Sequence, residues 1–250
     1  MSAVSAGEDA SGALAGRVVL VVGAAGGLGE AASLACARAG ASLVLLGRRV
    51  PKLNRLHDRL QAQGAAPALY PLDLEGATPD DFSDLAARIG EGFGRLDGIL
   101  HVAARFDGLT PLELTDPAAF ARALHINLTA RWWLTQACLP LLRASGDGAV
   151  VFAIDDPARS AGAYWGGYGL AQSGLTALVG MLQAELGDGP VRVHGLMPPP
   201  MRTPLRAKAH VEAEDRIARA PVDVADWCVE LLSPAGASRR GELWAREARA

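Results

Sequence analysis

The sequence predicts an α/β fold, a doubly wound parallel sheet of about seven strands with helices on both faces. Short apolar runs rich in β-branched residues alternate with amphipathic segments from residue 17 onward, as strands and crossover helices do. A glycine-rich turn lies directly between the first apolar run and the first amphipathic segment. The 250 residues suit one α/β domain with a sizeable core, so we expect a single domain over residues 16–250.

The apolar runs place the strands in order along the chain. The predicted strands are 17–22 (RVVLVV), 41–46 (ASLVLL), 66–72 (APALYPL), 96–102 (LDGILHV), 149–154 (AVVFAI), 191–197 (VRVHGLM) and 242–245 (ELWA). Helices are expected between them, near 27–39, 51–63, 79–91, 117–143, 164–186 and 222–232. Strands that are joined by crossover helices lie parallel, and their ligands bind at the carboxyl ends of the strands.

Two segments fall outside this alternation. Residues 1–15 have neither a basic start nor a continuous apolar run, so we expect a flexible tail rather than a secretory signal, in a cytoplasmic protein. Residues 198–220 carry no strand pattern, and we expect them to form a long loop or lid over the site.

Composition and charge argue against several classes of function. The net charge of −3 has no basic block behind it, which argues against nucleic-acid binding, and no stretch approaches the roughly 18 apolar residues of a membrane span. The five histidines have no metal-ligand spacing, so no metal is expected. Cys36, Cys138 and Cys228 lie in apolar segments and are expected to be buried and unpaired.

The glycine-rich turn marks the expected cofactor site. It reads Gly23-Ala24-Ala25-Gly26-Gly27-Leu28-Gly29 and opens the first helix. Glycines permit a positive φ and a close approach of the backbone, and the N–H groups at a helix start bind a pyrophosphate. We expect the pyrophosphate to contact Gly23, Ala25, Gly27, Leu28 and Gly29. A chance cluster, in a chain with 29 glycines, is the alternative.

This turn and its flanks resemble the short-chain dehydrogenase/reductase family, classical type, from about Arg17 to Trp244. LLGRR, RLDGILH and LTQACLPLL are most similar to a subgroup of small bacterial oxidoreductases. The resemblance implies a Rossmann fold, a nicotinamide dinucleotide and a small-molecule substrate. It also implies a homodimer or homotetramer, and the apolar residues Trp132, Trp133 and Leu134 suit such an interface, although a monomer's core would show the same pattern.

The identity of the cofactor depends on the end of the second strand. Arg48 stands where an NAD-preferring protein usually presents an acidic residue to the ribose 2′-OH, so NADP is expected rather than NAD. A solvated charge at a helix start is the alternative. Asp73 and Leu74 resemble the family's pair at the adenine, although a turn or capping aspartate would occupy the same position. The resemblance also places Ala103 and Thr203 at the cofactor.

The resemblance implies a catalytic set of Asn, Ser, Tyr and Lys, of which this chain keeps half. Asn127 and Tyr168 match, Gln172 stands where the lysine would be, and Asp155 stands where the serine would be. The missing lysine removes a positive charge that lowers the pKa of the tyrosine. An ionised aspartate instead repels a developing oxyanion and raises that pKa.

Two functions therefore remain open. One is an NADP-dependent oxidoreductase with an altered proton relay, in which Tyr168 and Asn127 act with Asp155 and Gln172 in changed roles and ordinary carbonyl and alcohol activity is weak or absent. A cationic or amine-bearing substrate would give Asp155 a role as a base. The other function is a non-catalytic dinucleotide-binding protein, either a redox sensor or a silent subunit of a hetero-oligomer.

Overall fold

The computed structural model describes residues 12–210 and 217–245, and its strands are β1 (Val18–Val22), β2 (Ser42–Gly47), β3 (Ala68–Pro71), β4 (Gly98–His101), β5 (Gly148–Ala153), β6 (Val191–Leu196) and β7 (Leu243–Trp244). They form one parallel sheet in the order β3-β2-β1-β4-β5-β6-β7. The chain runs outward from β1 to β3, returns to the other side of β1, and continues from β4 to β7. The expected doubly wound fold is confirmed, and its switch point lies between the carboxyl ends of β1 and β4.

The helices cover both faces of the sheet because the central strands are apolar on both. In β1, Val18, Leu20 and Val22 belong to one core cluster, whereas Val19 and Val21 belong to the other. The helices are α1 (Gly27–Arg38), α2 (Val50–Gln61), α3 (Pro79–Phe93), α4 (Pro117–Leu124), α5 (Ala130–Ala144), α6 (Pro157–Ser160), α7 (Gly166–Leu186) and α8 (Val222–Leu232). The first cluster packs α3, α5 and α7 against the sheet, and the second packs α1, α2 and α8.

The helix predicted near 117–143 is present, but it is not a regular α-helix throughout. A π turn, His125–Thr129, separates α4 from α5, and at its end the N–H of Ala130 donates to the carbonyl of His125, five residues back. The apolar pattern continues through both helices, so the sequence shows no break where the structure inserts the extra residue.

The domain begins earlier than the expected bound at residue 16. Leu14 is fully buried, and its N–H donates to the carbonyl of Ala39 at 2.9 Å. Residues 12–15 of the expected tail are therefore packed, because Leu14 fills a place in the second core cluster. The rest of that tail, residues 1–11, lies outside the described residues, as do residues 211–216 of the expected lid.

The three cysteines are free and buried, as predicted. Within residues 12–210 and 217–245, no helix combines the length and the apolar character needed to cross a bilayer. In the same residues, no group of three or more histidine, cysteine, aspartate or glutamate side chains is arranged to hold a metal ion.

Two buried histidines, in the strands on either side of β5, are held neutral by the fold. His101 stacks on Phe152 with ring centroids 4.7 Å apart, and His194 Nδ1 lies 2.8 Å from the carbonyl oxygen of Arg239. Burial lowers the pKa of His194 from 6.5 to about 4. Burial, with the charge of Arg131 as a second cause, lowers the pKa of His101 well below 6.5.

The free energy of unfolding is expected to fall as the pH is lowered from 6.5 to about 4. The unfolded chain binds protons at these rings in that window while the folded chain does not, so stability rises with pH across it. The shift at His194 alone corresponds to about 3 kcal/mol. Urea unfolding at several pH values measures this effect. The variant His194→Gln should show a shallower dependence, and equal slopes for the two proteins would contradict the assignment.

Candidate active site

The turn after β1 has no room for a side chain at Gly23 or Gly29. Gly23 has φ +92°, and a Cβ there would lie 2.5 Å from the Cα of Ala103. A Cβ at Gly29 would lie 2.1 Å from the carbonyl oxygen of Gly23. The N-cap residue of α1, Gly26, offers no side chain to its first-turn N–H groups. The turn therefore leaves backbone donors uncapped at a helix start, which suits a phosphate.

A cavity of about 670 Å³ runs from this turn across the carboxyl ends of the strands. Its volume lies in the range of small-molecule sites. Most of the residues predicted to bind cofactor or to act in catalysis line it: Gly23, Ala25, Gly27, Leu28, Arg48, Asp73, Leu74, Ala103, Asp155, Tyr168, Gln172 and Thr203. Gly29 and Asn127 do not, since Gly29 packs behind the turn and Asn127 is fully buried.

Three cations lie around one end of the cavity. Arg48 pairs with Asp73 across 3.6 Å, and both side chains are nearly half exposed. Such a pair is weak, so Arg48 is free to turn toward a ligand. Arg49 and Lys52 also line this end, and of these two the sequence analysis raised only Arg49, as part of LLGRR. The three positive charges fit a ligand with a phosphate group.

Tyr168 lies at the other end of the cavity, within a packed aromatic group. Its ring centroid is 5.1 Å from that of Phe106 and 5.8 Å from that of Trp165. The Tyr168 hydroxyl donates to Asp155 Oδ2 at 3.3 Å, and the other oxygen of Asp155 lies 3.4 Å from Arg159. The aspartate that replaces the expected serine therefore stands directly against the phenol oxygen.

The surroundings of Tyr168 keep its proton in place. Burial, and then the charge of Asp155, raise the pKa of the Tyr168 phenol, whereas Arg131 and Arg159 act in the opposite direction. At neutral pH the phenol is protonated, and its raised pKa makes it a weaker acid than an ordinary tyrosine.

Gln172 occupies the position of the expected lysine, one turn after Tyr168 on α7, and it is buried. Its Oε1 accepts a hydrogen bond from the backbone N–H of Asp155 at 2.9 Å. This contact fixes the chain at the end of β5 and brings no charge to the site.

Asn127 lies in the π turn between α4 and α5. Its Oδ1 accepts from the N–H of Arg105 at 2.9 Å, and its Nδ2 donates to the carbonyls of Arg105 and Ala123, both at 2.8 Å. The side chain therefore fixes the segment after β4 and points its amide at backbone groups rather than into the cavity.

Arg131, in α5, is a site residue that the sequence analysis missed. It is buried, lines the cavity, and donates to the carbonyls of Ala103 and Ala153, the latter at 3.2 Å. An arginine inside the apolar run INLTARWWL was the available signal, because such a residue is rarely buried without a reason.

The two described parts of the expected lid, residues 198–210 and 217–220, contact each other near the glycine turn. Met201 and Arg219 form a parallel bridge, and Arg219 donates to the carbonyl of Pro200 at 2.8 Å. A Cβ at Gly27 would lie 2.9 Å from Thr203 Cγ2. The segment thus closes one side of the cavity at the start of α1.

The sequence and the fold were compared with known proteins. The family model described as short chain dehydrogenase matches residues 17–214. The oxidoreductase YciK of Escherichia coli K12 is 32% identical over 209 residues, which cover 83% of this chain and 82% of YciK. A short chain dehydrogenase structure from Pseudomonas syringae has a TM-score of 0.87 and 37% identity, covering 96% of this chain and 98% of its own. A second short chain dehydrogenase structure, from Shigella flexneri and complexed with NADP, has a TM-score of 0.88 and 31% identity. The match covers 92% of this chain and 97% of that chain.

Proposed function

The chain belongs to the short-chain dehydrogenase family, and from that premise we propose that it is an NADP-dependent oxidoreductase with an altered proton relay. One observation carries the proposal. A single cavity joins the cations around Arg48 to the phenol of Tyr168, with the glycine turn between them. A dinucleotide lying along the cavity would place its 2′-phosphate at the cations, its pyrophosphate at the glycine turn and its nicotinamide near Tyr168.

The residues of this chain fit that cofactor. The glycine turn would hold the pyrophosphate, and Arg48, Arg49 and Lys52 would hold the 2′-phosphate. The relative from Shigella flexneri was solved with NADP, which supports the same choice here. NADPH, when bound, supplies a hydride to the substrate carbon.

Tyr168 provides the proton that balances this hydride when a carbonyl becomes an alcohol. The phenol carries at neutral pH the proton that reduction requires, but its raised pKa makes it a weak acid. Asp155 opposes the step, since a carboxylate beside the phenol repels the negative charge that develops on the substrate oxygen. We therefore propose that ordinary carbonyl reduction is slow in the native chain.

The same contact favours a second candidate function, non-catalytic dinucleotide binding. The Tyr168 hydroxyl that would protonate a substrate already donates to Asp155 at 3.3 Å. A redox sensor or a silent subunit needs the glycine turn and the cations but not a free phenol. Failure of the NADPH-bound chain to reduce any member of a panel of aldehydes, ketones and imines would favour this function.

Arg48→Ala is expected to weaken NADPH binding about tenfold or more and to leave NADH binding nearly unchanged, because charge-assisted contacts to a phosphate are lost. Calorimetric titration with NADPH, NADP⁺, NADH and NAD⁺ measures both effects. Arg55→Ala, on the exposed side of α2 and away from the cavity, is the matched control and should bind like the native chain. Equal loss of NADH and NADPH affinity in Arg48→Ala would contradict the assignment of the 2′-phosphate. No binding of any of the four by the native chain would overturn the proposal as a whole.

We also propose that the chain forms a homodimer or homotetramer through α5 and α7. Trp132, Leu170 and Met181 expose apolar side chains on these helices, which suits a further contact. Leu134, which the sequence analysis assigned to such an interface, is fully buried in the chain's own core. Sedimentation of the purified protein tests this, and a monomer at micromolar concentration would contradict it.

A further inference from the structure

Arg131 is a buried cation at the wall of the cavity. It is 1% exposed and lines the same cavity as Tyr168 and Gln172. Its Nη atoms donate to the carbonyls of Ala103 and Ala153, and its Nε has no hydrogen-bond partner among the described residues. No carboxylate of the described residues pairs with it. The fold thus holds an uncompensated positive charge where β4 and β5 end.

This charge persists at neutral pH. Burial lowers the pKa of Arg131 only to about 10, so the guanidinium remains protonated. The two carbonyl oxygens orient it without neutralising it. Isolated ions are costly to bury unless an opposite charge forms nearby, and the ionisable group whose charge acts on Arg131 is Tyr168.

Two other charged side chains lie near Tyr168, and they act on its pKa in opposite directions, Asp155 more strongly than Arg159. Asp155 accepts from the phenol at 3.3 Å, and Arg159 lies 3.4 Å from the other oxygen of that carboxylate. His101, which also faces Arg131, is held neutral by burial. Arg131 is the buried cation at this end of the cavity: it donates to the carbonyl of Ala153, two residues before Asp155. Its charge acts on the phenol more strongly than that of the partly exposed Arg159.

We propose that Arg131 is a positioning residue that stabilises the Tyr168 phenolate, supplying from α5 the positive charge that the resemblance would place at position 172 of α7. The inference rests on the proposed function, since a phenolate forms only if Tyr168 transfers a proton. The same charge disfavours a cationic substrate, which Asp155 alone would suit, and favours a neutral or anionic one.

The ionisation of Tyr168 tests the proposal directly. The chain has three tyrosines, so labelling with trifluorotyrosine, whose phenol ionises at lower pH, gives three groups of fluorine NMR signals, one group for each residue. Tyr168→Phe removes one group and so assigns it. Arg131→Met should raise the pKa of the labelled Tyr168 by about one pH unit or more. Arg131→Lys, which keeps the charge, should restore most of the difference. Arg131→Gln is a second neutral variant that keeps a donor for the carbonyls, and it should behave like Arg131→Met.

NADPH titrations of the same proteins separate the two proposals. If the native chain binds NADPH and both neutral variants leave the Tyr168 titration unchanged, the inference about Arg131 is overturned and the proposed function stands. An equal rise of the Tyr168 pKa in Arg131→Lys and Arg131→Met would also overturn it, because that result would come from lost packing and not from the lost charge. If the native chain binds no NADPH, it is the proposed function that fails.

Discussion

Exchanging Asp155 for serine and Gln172 for lysine is expected to raise the kcat of NADPH-dependent carbonyl reduction about 100-fold. Serine removes the carboxylate that accepts from the Tyr168 hydroxyl and offers a hydroxyl donor to the substrate oxygen. Lysine adds positive charge one turn after the tyrosine. General acid–base catalysis contributes about 10²–10⁴-fold, so the expected gain is the lower end of what a complete relay supplies.

The single variants show which change matters. Asp155→Ser alone should recover most of the gain, and Gln172→Lys alone should recover little, because Arg131 already places a cation at the site. Adding Tyr168→Phe to the double variant should abolish the gain. Steady-state kinetics with simple aldehydes and ketones at saturating NADPH measure these differences. A double variant that binds NADPH normally yet reacts no faster than the native chain would show that Asp155 does not limit the reaction.

Gly29→Ala is expected to weaken NADPH binding about 100-fold, even though Gly29 does not line the cavity. The new Cβ would lie 2.1 Å from the carbonyl oxygen of Gly23 and 3.0 Å from the carbonyl carbon of Ala24, and both neighbours are backbone. The turn must open to relieve the clash, which displaces the N–H groups at the start of α1. Losing one or two charge-assisted hydrogen bonds accounts for an effect of this size.

A matched glycine provides the control for this variant. Gly180 lies on the exposed side of α7, and a Cβ there would meet nothing within 4 Å. Gly180→Ala should therefore bind NADPH like the native chain, and it should be slightly more stable because alanine favours the helix. Calorimetry gives the affinities and circular dichroism confirms that both variants fold. Unchanged affinity in Gly29→Ala would mean that the turn does not bind the pyrophosphate.

The fold was predictable from the sequence because its strands carry a local signal. Runs such as RVVLVV are apolar at every position, which a strand covered on both faces requires, and the helices between them set the parallel order. Leu14 had no such signal, since the short segment around it, residues 12–16, shows neither a strand nor a helix period. Its place in the core depends on packing with residues of α1 and β2, which the local sequence around Leu14 does not show.

The candidate site was predictable to the extent that its residues follow strands or match a known pattern. The contact of Asp155 with Tyr168 followed from the spacing of the family's serine and tyrosine. Arg131 could not be placed in this way. The sequence shows an arginine at this position, but it does not show whether the side chain reaches the cavity or the solvent. That depends on the geometry of the preceding π turn, which no periodicity in the sequence marks.

The π turn also sets the rotational phase of everything that follows it in α5. An α-helix advances about 100° around its axis for each residue. Deleting one residue from His125–Thr129, so that the turn closed with ordinary helical spacing, would rotate α5 by about that angle relative to α4. Arg131 would swing off the cavity wall, and the face that carries Trp132 would change neighbours with it. A change in the length of this helix, with no substitution at any site residue, is thus enough to remove the buried charge from the site.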